Sequence, residues 1–162
     1  RTGATKLETV ALRQIIEAAA EHYKTKAQQT EIQFLVAEVP EIMLLADQLQ
    51  LEVVLRNLLS NAFEAVAVAD VTGRQVSIHA ERLPGERVII CVEDSGAGLT
   101  SQDAERAFES FYSSKSSGMG LGLVISRAIA ETHGGSLWGE VADHGVFKLV
   151  LPIQESPKTP TP

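Results

Sequence analysis

The sequence predicts an α+β fold: a two-layer sandwich with three main helices on one face of a mixed, mostly antiparallel sheet. Three observations lead there. Three stretches repeat apolar residues at helical spacing, and about six short stretches read as strands. Most of those strands are separated by turn signals rather than helices, so they join as hairpins instead of βαβ crossovers.

Residues 1–9 are polar and weakly patterned, and read as a linker. Over residues 10–27 the apolar positions Val10, Leu12, Ile15, Ile16, Ala19, Ala20 and Tyr23 predict the first helix. Residues 31–37 alternate through Ile32, Phe34 and Val36 and predict a strand; residues 42–45, beyond Pro40, predict a second. Asp47 reads as the N-cap of the next helix, with Gln50 as its capping-box partner. That helix carries Leu51, Val54, Leu55, Leu58, Leu59, Ala62 and Val66 at core spacing. Residues 75–81 and 87–93 predict a hairpin turning at Pro84-Gly85. Residues 94–118 are rich in Gly and Ser, with a short helical stretch at 101–108. A helix over 119–133 stops at Gly134-Gly135. Two final strands, 136–141 and 146–151, turn at His144-Gly145, and Trp138 reads as a strand core residue. The Pro/Thr-rich segment 154–162 reads as a disordered tail. The expected domain therefore covers residues 10–153.

The chain has 162 residues, 44% hydrophobic and 22% charged, which fits one core. Its 14 basic and 21 acidic residues give a formal charge of −7, and no basic stripe is present, which argues against a nucleic-acid partner. An acidic domain that binds a polyanion must rely on backbone N–H groups, a metal ion or a few placed cations. The single cysteine, Cys91, lies in an apolar run and reads as a small buried hydrophobe. It forms no internal disulfide, so a reducing compartment fits. No apolar run is long enough to span a bilayer. The first residue is Arg, so a piece of a longer protein is expected.

Three segments carry candidate chemistry. On the helix after Asp47, Asn57, Asn61 and Glu64 fall within roughly 60° of one another, beside the aliphatic stripe. That ridge is also what a solvated helix face looks like. Two Asn in mid-helix are poor helix formers, however, and an oxygen ligand for Mg²⁺ would account for one of them. In Glu93-Asp94-Ser95-Gly96-Ala97-Gly98-Leu99, an acidic residue ends a buried strand and two glycines follow. An ordinary Gly-rich turn has this composition too. Asp94 only accepts hydrogen bonds, though, and so could select the N6 amine of adenine, with Gly96 and Gly98 admitting the base. In Lys115-Ser116-Ser117-Gly118-Met119-Gly120-Leu121-Gly122-Leu123, alternate glycines open a helix whose N-terminus can hold phosphates. Lys115 could add a point charge, or be a solvated cation. The order of residues fits neither a P-loop nor a Rossmann fingerprint.

In this order the segments resemble the ATP-binding catalytic domain of bacterial sensor histidine kinases, over about residues 10–152. Asn57-Leu-Leu-Ser-Asn61-Ala resembles the N box, Asp94-Ser-Gly-Ala-Gly98 the G1 box, Phe108-Glu-Ser-Phe111-Tyr-Ser-Ser-Lys115 the F box, and Gly118-Met-Gly-Leu-Gly-Leu123 the G2 box. The resemblance implies the Bergerat sandwich shared with gyrase, Hsp90 and MutL ATPases, and ATP with Mg²⁺ as cofactors. It implies that Asn61 coordinates Mg²⁺, that Asp94 contacts adenine, and that Gly96, Gly98, Gly118, Gly120 and Gly122 shape the pocket. Ser114 and Lys115 in the F box, Met119, Leu121 and Leu123 in the G2 box, and Glu64, Ala65 and Leu99 just beyond the N and G1 boxes are further expected nucleotide contacts. Residues 99–117 correspond to the ATP lid, anchored by Phe108 and Phe111.

Asn57, Asn61 and Lys115 form the expected catalytic set. Hydrolytic relatives place a Glu base where Asn57 stands, and an amide cannot take a proton near neutral pH, so slow hydrolysis is expected. None of the four histidines has a phosphoacceptor's sequence context. The acceptor is therefore expected on a separate dimerisation domain of the same parent, with a response regulator downstream. The resemblance implies a cytoplasmic domain without direct membrane contact, belonging to a larger sensor. An anti-sigma-type serine kinase, a GHL-type ATPase and a nucleotide-binding pseudokinase remain the competing readings.

Overall fold

The computed structural model describes residues 4–68, 72–106, 108 and 122–153. In chain order the elements are β1 (Glu8–Ala11), α1 (Leu12–Thr30), β2 (Gln33–Val36), β3 (Met43–Ala46), α2 (Gln48–Val68), β4 (Gln75–Leu83), β5 (Arg87–Asp94), α3 (Ser101–Arg106), α4 (Gly122–Thr132), β6 (Ser136–Gly139) and β7 (Gly145–Pro152). The main sheet has the order β2-β4-β5-β7-β6; β2 and β4 are parallel and the other pairs antiparallel. This is the mixed, mostly antiparallel sandwich read from the sequence, with a short fourth helix.

Period-2 alternation divides the sheet. Val76, Ile78 and Ala80 of β4, Val88, Ile90 and Val92 of β5, and Phe147, Leu149 and Leu151 of β7 are buried on one side. Against them α2 buries Leu51, Val54, Leu55, Leu58, Leu59, Ala62 and Val66, the stripe predicted from 3.6-residue spacing. Phe63 extends that stripe. Its ring lies 5.1 Å from Tyr23 and 5.4 Å from Phe34, which joins α1, α2 and β2.

Several expectations are corrected. β1 begins at Glu8, inside the stretch read as linker; a four-residue Glu-Thr-Val-Ala strand carries too little periodicity to be seen. It pairs antiparallel with β3, so β3 lies in a separate two-stranded sheet rather than in the main one. Helix α1 runs past residue 27 to Thr30, until Glu31 turns left-handed (φ 56°) and Ile32 N–H donates to Ala27 C=O at 3.1 Å. Trp138 lies half-exposed on the outer face of edge strand β6, because Leu137 takes the helix-side position. Cys91 is buried, but it too lies on the outer face, between His79 and Lys148 in cross-strand register, and burial pushes its thiol pKa up.

Asp47 caps α2 as expected, accepting the Gln50 N–H at 3.1 Å. The reciprocal bond of a capping box goes elsewhere. The Asp47 N–H donates to His133 Nε2 at 3.0 Å, and the Gln50 side-chain oxygen accepts from Thr5 Oγ1 at 3.2 Å. His133 Nδ1 in turn donates to the Ile129 carbonyl at 2.9 Å, which fixes its tautomer and uses a helix-terminal acceptor. The other Asp47 oxygen accepts the Lys6 N–H at 2.9 Å. These bonds hold the Asp47 carboxyl below its usual range, the Lys6 amide contributing most. His133→Ala removes one tie from each helix end, and should lower unfolding stability in urea by about 1–2 kcal/mol.

Candidate functional site

Helix α2 meets two glycine-bearing segments along one side. At Asn57 it meets the start of α4: Asn57 Nδ2 donates to the Gly122 carbonyl at 3.2 Å and to Ser126 Oγ at 3.0 Å. A carbonyl can only accept, so the amide nitrogen must face it. Ser126 is fully buried, so Asn57 supplies a hydrogen-bonding partner within the α2–α4 contact. Two turns further on, at Ala65, α2 meets the loop after β5. A Cβ built on Gly96 would lie 3.1 Å from both the Ala65 methyl and the Ala65 carbonyl oxygen. The two contacts are eight residues apart, about 12 Å along the helix axis. Asn61 and Glu64, half-buried and each already engaged in interactions, lie between them on the same side.

The Asp94 end is built from two further strands. Asp94, only 8% exposed, is opposed by Val76 on β4 and by Gly145 on β7. The Gly96 N–H donates to Asp94 Oδ1 at 2.8 Å. Gly98 has φ +80°, and a Cβ there would strike the Ala142 carbonyl and stand 2.8 Å from the His144 carbonyl oxygen. The loop after β5 is therefore pressed onto the β6–β7 turn. Leu99 pairs with Val141 there, and its side chain fills the space above Gly139. Phe108 packs edge-on to Phe147, with the Arg127 guanidinium 5.1 Å from the Phe108 ring centroid. Leu123 is partly buried against the core.

Of the expected site residues, the structure thus places Asn57, Asn61, Glu64, Ala65, Asp94, Gly96, Gly98, Leu99, Phe108, Gly122 and Leu123 around α2 and the adjoining loops. Phe111, Ser114, Lys115, Gly118, Met119, Gly120 and Leu121 lie outside the described residues. Two contributors escaped the sequence reading. Ser126 is not marked out by any sequence pattern on its helix, and Gly145 reads from sequence only as part of the His144-Gly145 turn.

His144, in the β6–β7 turn, adds a titratable group beside Asp94. Its Nδ1 donates to Asp143 Oδ1 at 2.9 Å, and Nε2 lies 3.9 Å from Glu93 Oε1. The Asp143 hydrogen bond, followed by the Glu93, Asp143 and Asp94 charges, raises the imidazole pKa above its ordinary value. The native state therefore favours the proton. Its contribution is complete below the unfolded value near 6.5 and is lost as pH rises through the higher folded value. His144→Gln should melt below wild type at acid pH, and the difference should close as pH rises through the raised imidazole pKa. The group is half-exposed, so the effect is small.

The donor chemistry suits a nucleotide with a hard cation. Asn61 and Glu64 offer oxygens of the kind Mg²⁺ takes in small number alongside phosphate and water. Among the described residues, no three or more His, Cys, Asp or Glu gather into an all-protein metal cage.

The family described as histidine kinase-, DNA gyrase B-, and HSP90-like ATPase matches residues 46–155, more than half of the chain. The chain belongs to that family. Proteins similar to it include sensor proteins and sensor histidine kinases. The chain is 31% identical over 156 residues to the sensor protein FixL of Bradyrhizobium diazoefficiens, covering 94% of this chain and 30% of FixL. It is 42% identical over 112 residues to the C4-dicarboxylate transport sensor protein DctS of Rhodobacter capsulatus, covering 68% of this chain and 17% of DctS. The chain thus spans less than a third of either relative. Full-length ShkA in complex with AMPPNP superposes with a TM-score of 0.81 at 25% identity, covering 96% of this chain and 33% of ShkA. No helix among the described residues is long and apolar enough to cross a membrane.

Proposed function

We propose that this domain binds Mg-ATP between α2 and the Asp94 loop and passes the γ-phosphate to a histidine on a separate dimerisation domain. A response regulator is the expected downstream acceptor. The observation carrying this reading is that one helix touches the Asp94 loop at Ala65 and the glycine-opened helix at Asn57, with Asn61 and Glu64 between. That span is comparable to an extended path from a purine to its terminal phosphate.

In this reading Asp94 accepts from the adenine amine, and its ionised form cannot offer a donor to a guanine carbonyl. The N–H groups at the start of α4 hold phosphate oxygens, and Asn57 holds that helix start in place. Asn61 provides the cation's protein oxygen. Mg²⁺, when bound, neutralises charge on the transferring phosphoryl group. Lys115 adds a cation near the terminal phosphate, and Phe108 and Phe111 anchor the lid. Nothing at Asn57 can deprotonate water, which suits transfer to a side chain over hydrolysis. By this reading the domain works on the cytoplasmic side.

The test is to incubate the domain with Mg-ATP and candidate dimerisation domains. Acid-labile phosphate on histidine is expected. Acid-stable phosphate on serine would favour an anti-sigma-type kinase instead, and rapid steady-state hydrolysis without an acceptor would favour a GHL-type ATPase.

A further inference from the structure

We propose that Gly145 is a positioning residue for nucleotide specificity, its bare α-carbon forming the seat that fixes the direction of the Asp94 carboxylate. The proposal rests on the reading of Asp94 as the adenine contact.

Asp94 and Gly145 are direct partners across the antiparallel β5–β7 pair. Side chains of such partners leave the same face of the sheet, with Cβ atoms normally about 4.5–5.5 Å apart. Here the Asp94 side chain occupies its partner's place. A Cβ on Gly145 would stand 2.5 Å from Asp94 Oδ1 and would collide outright with Cγ and Oδ2. The need is for room rather than for an unusual backbone, because among the described residues the glycines at positive φ are Gly73, Gly85, Gly98 and Gly134.

Two neighbours close the remaining directions. The Gly96 N–H holds Oδ1 from the loop side at 2.8 Å. Val76, fully buried, stands opposite Asp94 on β4. Any side chain at position 145 therefore turns the carboxylate away from β7 and off the Gly96 N–H. A hydrogen bond weakens steeply with misalignment, so a turned carboxylate loses its preference for a base that carries the amine. Affinity supplied by the phosphates at the start of α4 is unaffected. Gly145 should therefore govern base discrimination and leave general nucleotide affinity largely intact.

The experiment compares wild type with Gly145→Ala in the whole chain, using calorimetry with Mg-ATP and with the Mg complex of purine riboside triphosphate, which lacks the 6-amino group. Wild type is expected to prefer ATP. In Gly145→Ala, ATP affinity should fall roughly tenfold or more while affinity for the amine-free nucleotide changes little. A folded Gly145→Ala variant with the wild-type ratio would overturn the proposal.

A stability cycle isolates the seat itself and also covers the case in which the single variant does not fold. Gly145→Ala should destabilise the wild-type background but not an Asp94→Ala background, where the colliding carboxylate is gone. Equal destabilisation in both would show that the conflict lies with the backbone, and the seat would be refuted. If wild type fails to distinguish the two nucleotides while the cycle behaves as expected, the seat stands. The adenine role of Asp94, and with it the specificity assignment, would then fall.

Discussion

Asp94→Asn should abolish measurable adenine-nucleotide binding while leaving the fold intact. The substitution keeps the shape of the side chain and changes its hydrogen-bonding capacity. A carboxylate accepts at both oxygens, whereas a carboxamide accepts at one and donates at the other. In this site Oδ1 already accepts from the Gly96 N–H. The variant must therefore use its single acceptor either for Gly96 or for the base, and it loses the charge that strengthens both bonds. Charge-assisted hydrogen bonds contribute about 1.5–3 kcal/mol, and leaving a buried group unmatched costs a further 1–3 kcal/mol or so. The combined loss is roughly two to four orders of magnitude in affinity, enough to carry a micromolar ligand toward or beyond the millimolar range. Calorimetric titration with Mg-ATP reads this directly, with circular dichroism as the check on folding. Unchanged affinity in a folded variant would remove Asp94 from the base contact, and the nucleotide pose proposed above would fail with it.

The legibility of such a site in the sequence varies residue by residue. Asp94, Gly96 and Gly98 could be read because three needs coincide in one short segment: a strand end, an acceptor and close backbone approach. The α2 ridge could be read because two asparagines in mid-helix conflict with helix propensity, and such conflicts gather where function intrudes. The core needed only periodicity, and α2 and the β4–β5 hairpin lie close to where it placed them.

What escaped notice depends on contacts between distant segments. Gly145 follows a turn, and nothing local separates a glycine that turns the chain from one that makes room for a carboxylate across the sheet. His133 satisfies an amide 86 residues away, so the cap on α2 looked complete with Gln50 alone. Strand β1 exists because β3 pairs with it, and its own four residues give no alternation to detect. Local pattern specifies elements, while pairing between remote segments specifies which polar groups are left to work.

Asn57→Glu separates two roles for the first asparagine of the α2 ridge. In hydrolytic relatives a glutamate at this position serves as a base, so on sequence grounds the exchange ought to create an ATPase. The structure gives a different expectation. The Asn57 amide nitrogen is occupied by the Gly122 carbonyl and the Ser126 hydroxyl. A carboxylate there brings an acceptor against a carbonyl and leaves one donor bond unmade, although Ser126 can turn its hydroxyl to donate. The expected cost is about 2–3 kcal/mol, or roughly 4–12 °C in melting temperature for a domain of this size. It falls on the α2–α4 contact that holds the helix start where phosphates would bind. Affinity for Mg-ATP should therefore drop together with stability, and steady-state hydrolysis should not rise. Ser126→Ala should reproduce part of the stability loss, because it removes the other half of the bond. A stable Asn57→Glu domain that hydrolyses ATP faster than wild type would mean that position 57 faces the reacting phosphate, and that its tie to α4 is secondary.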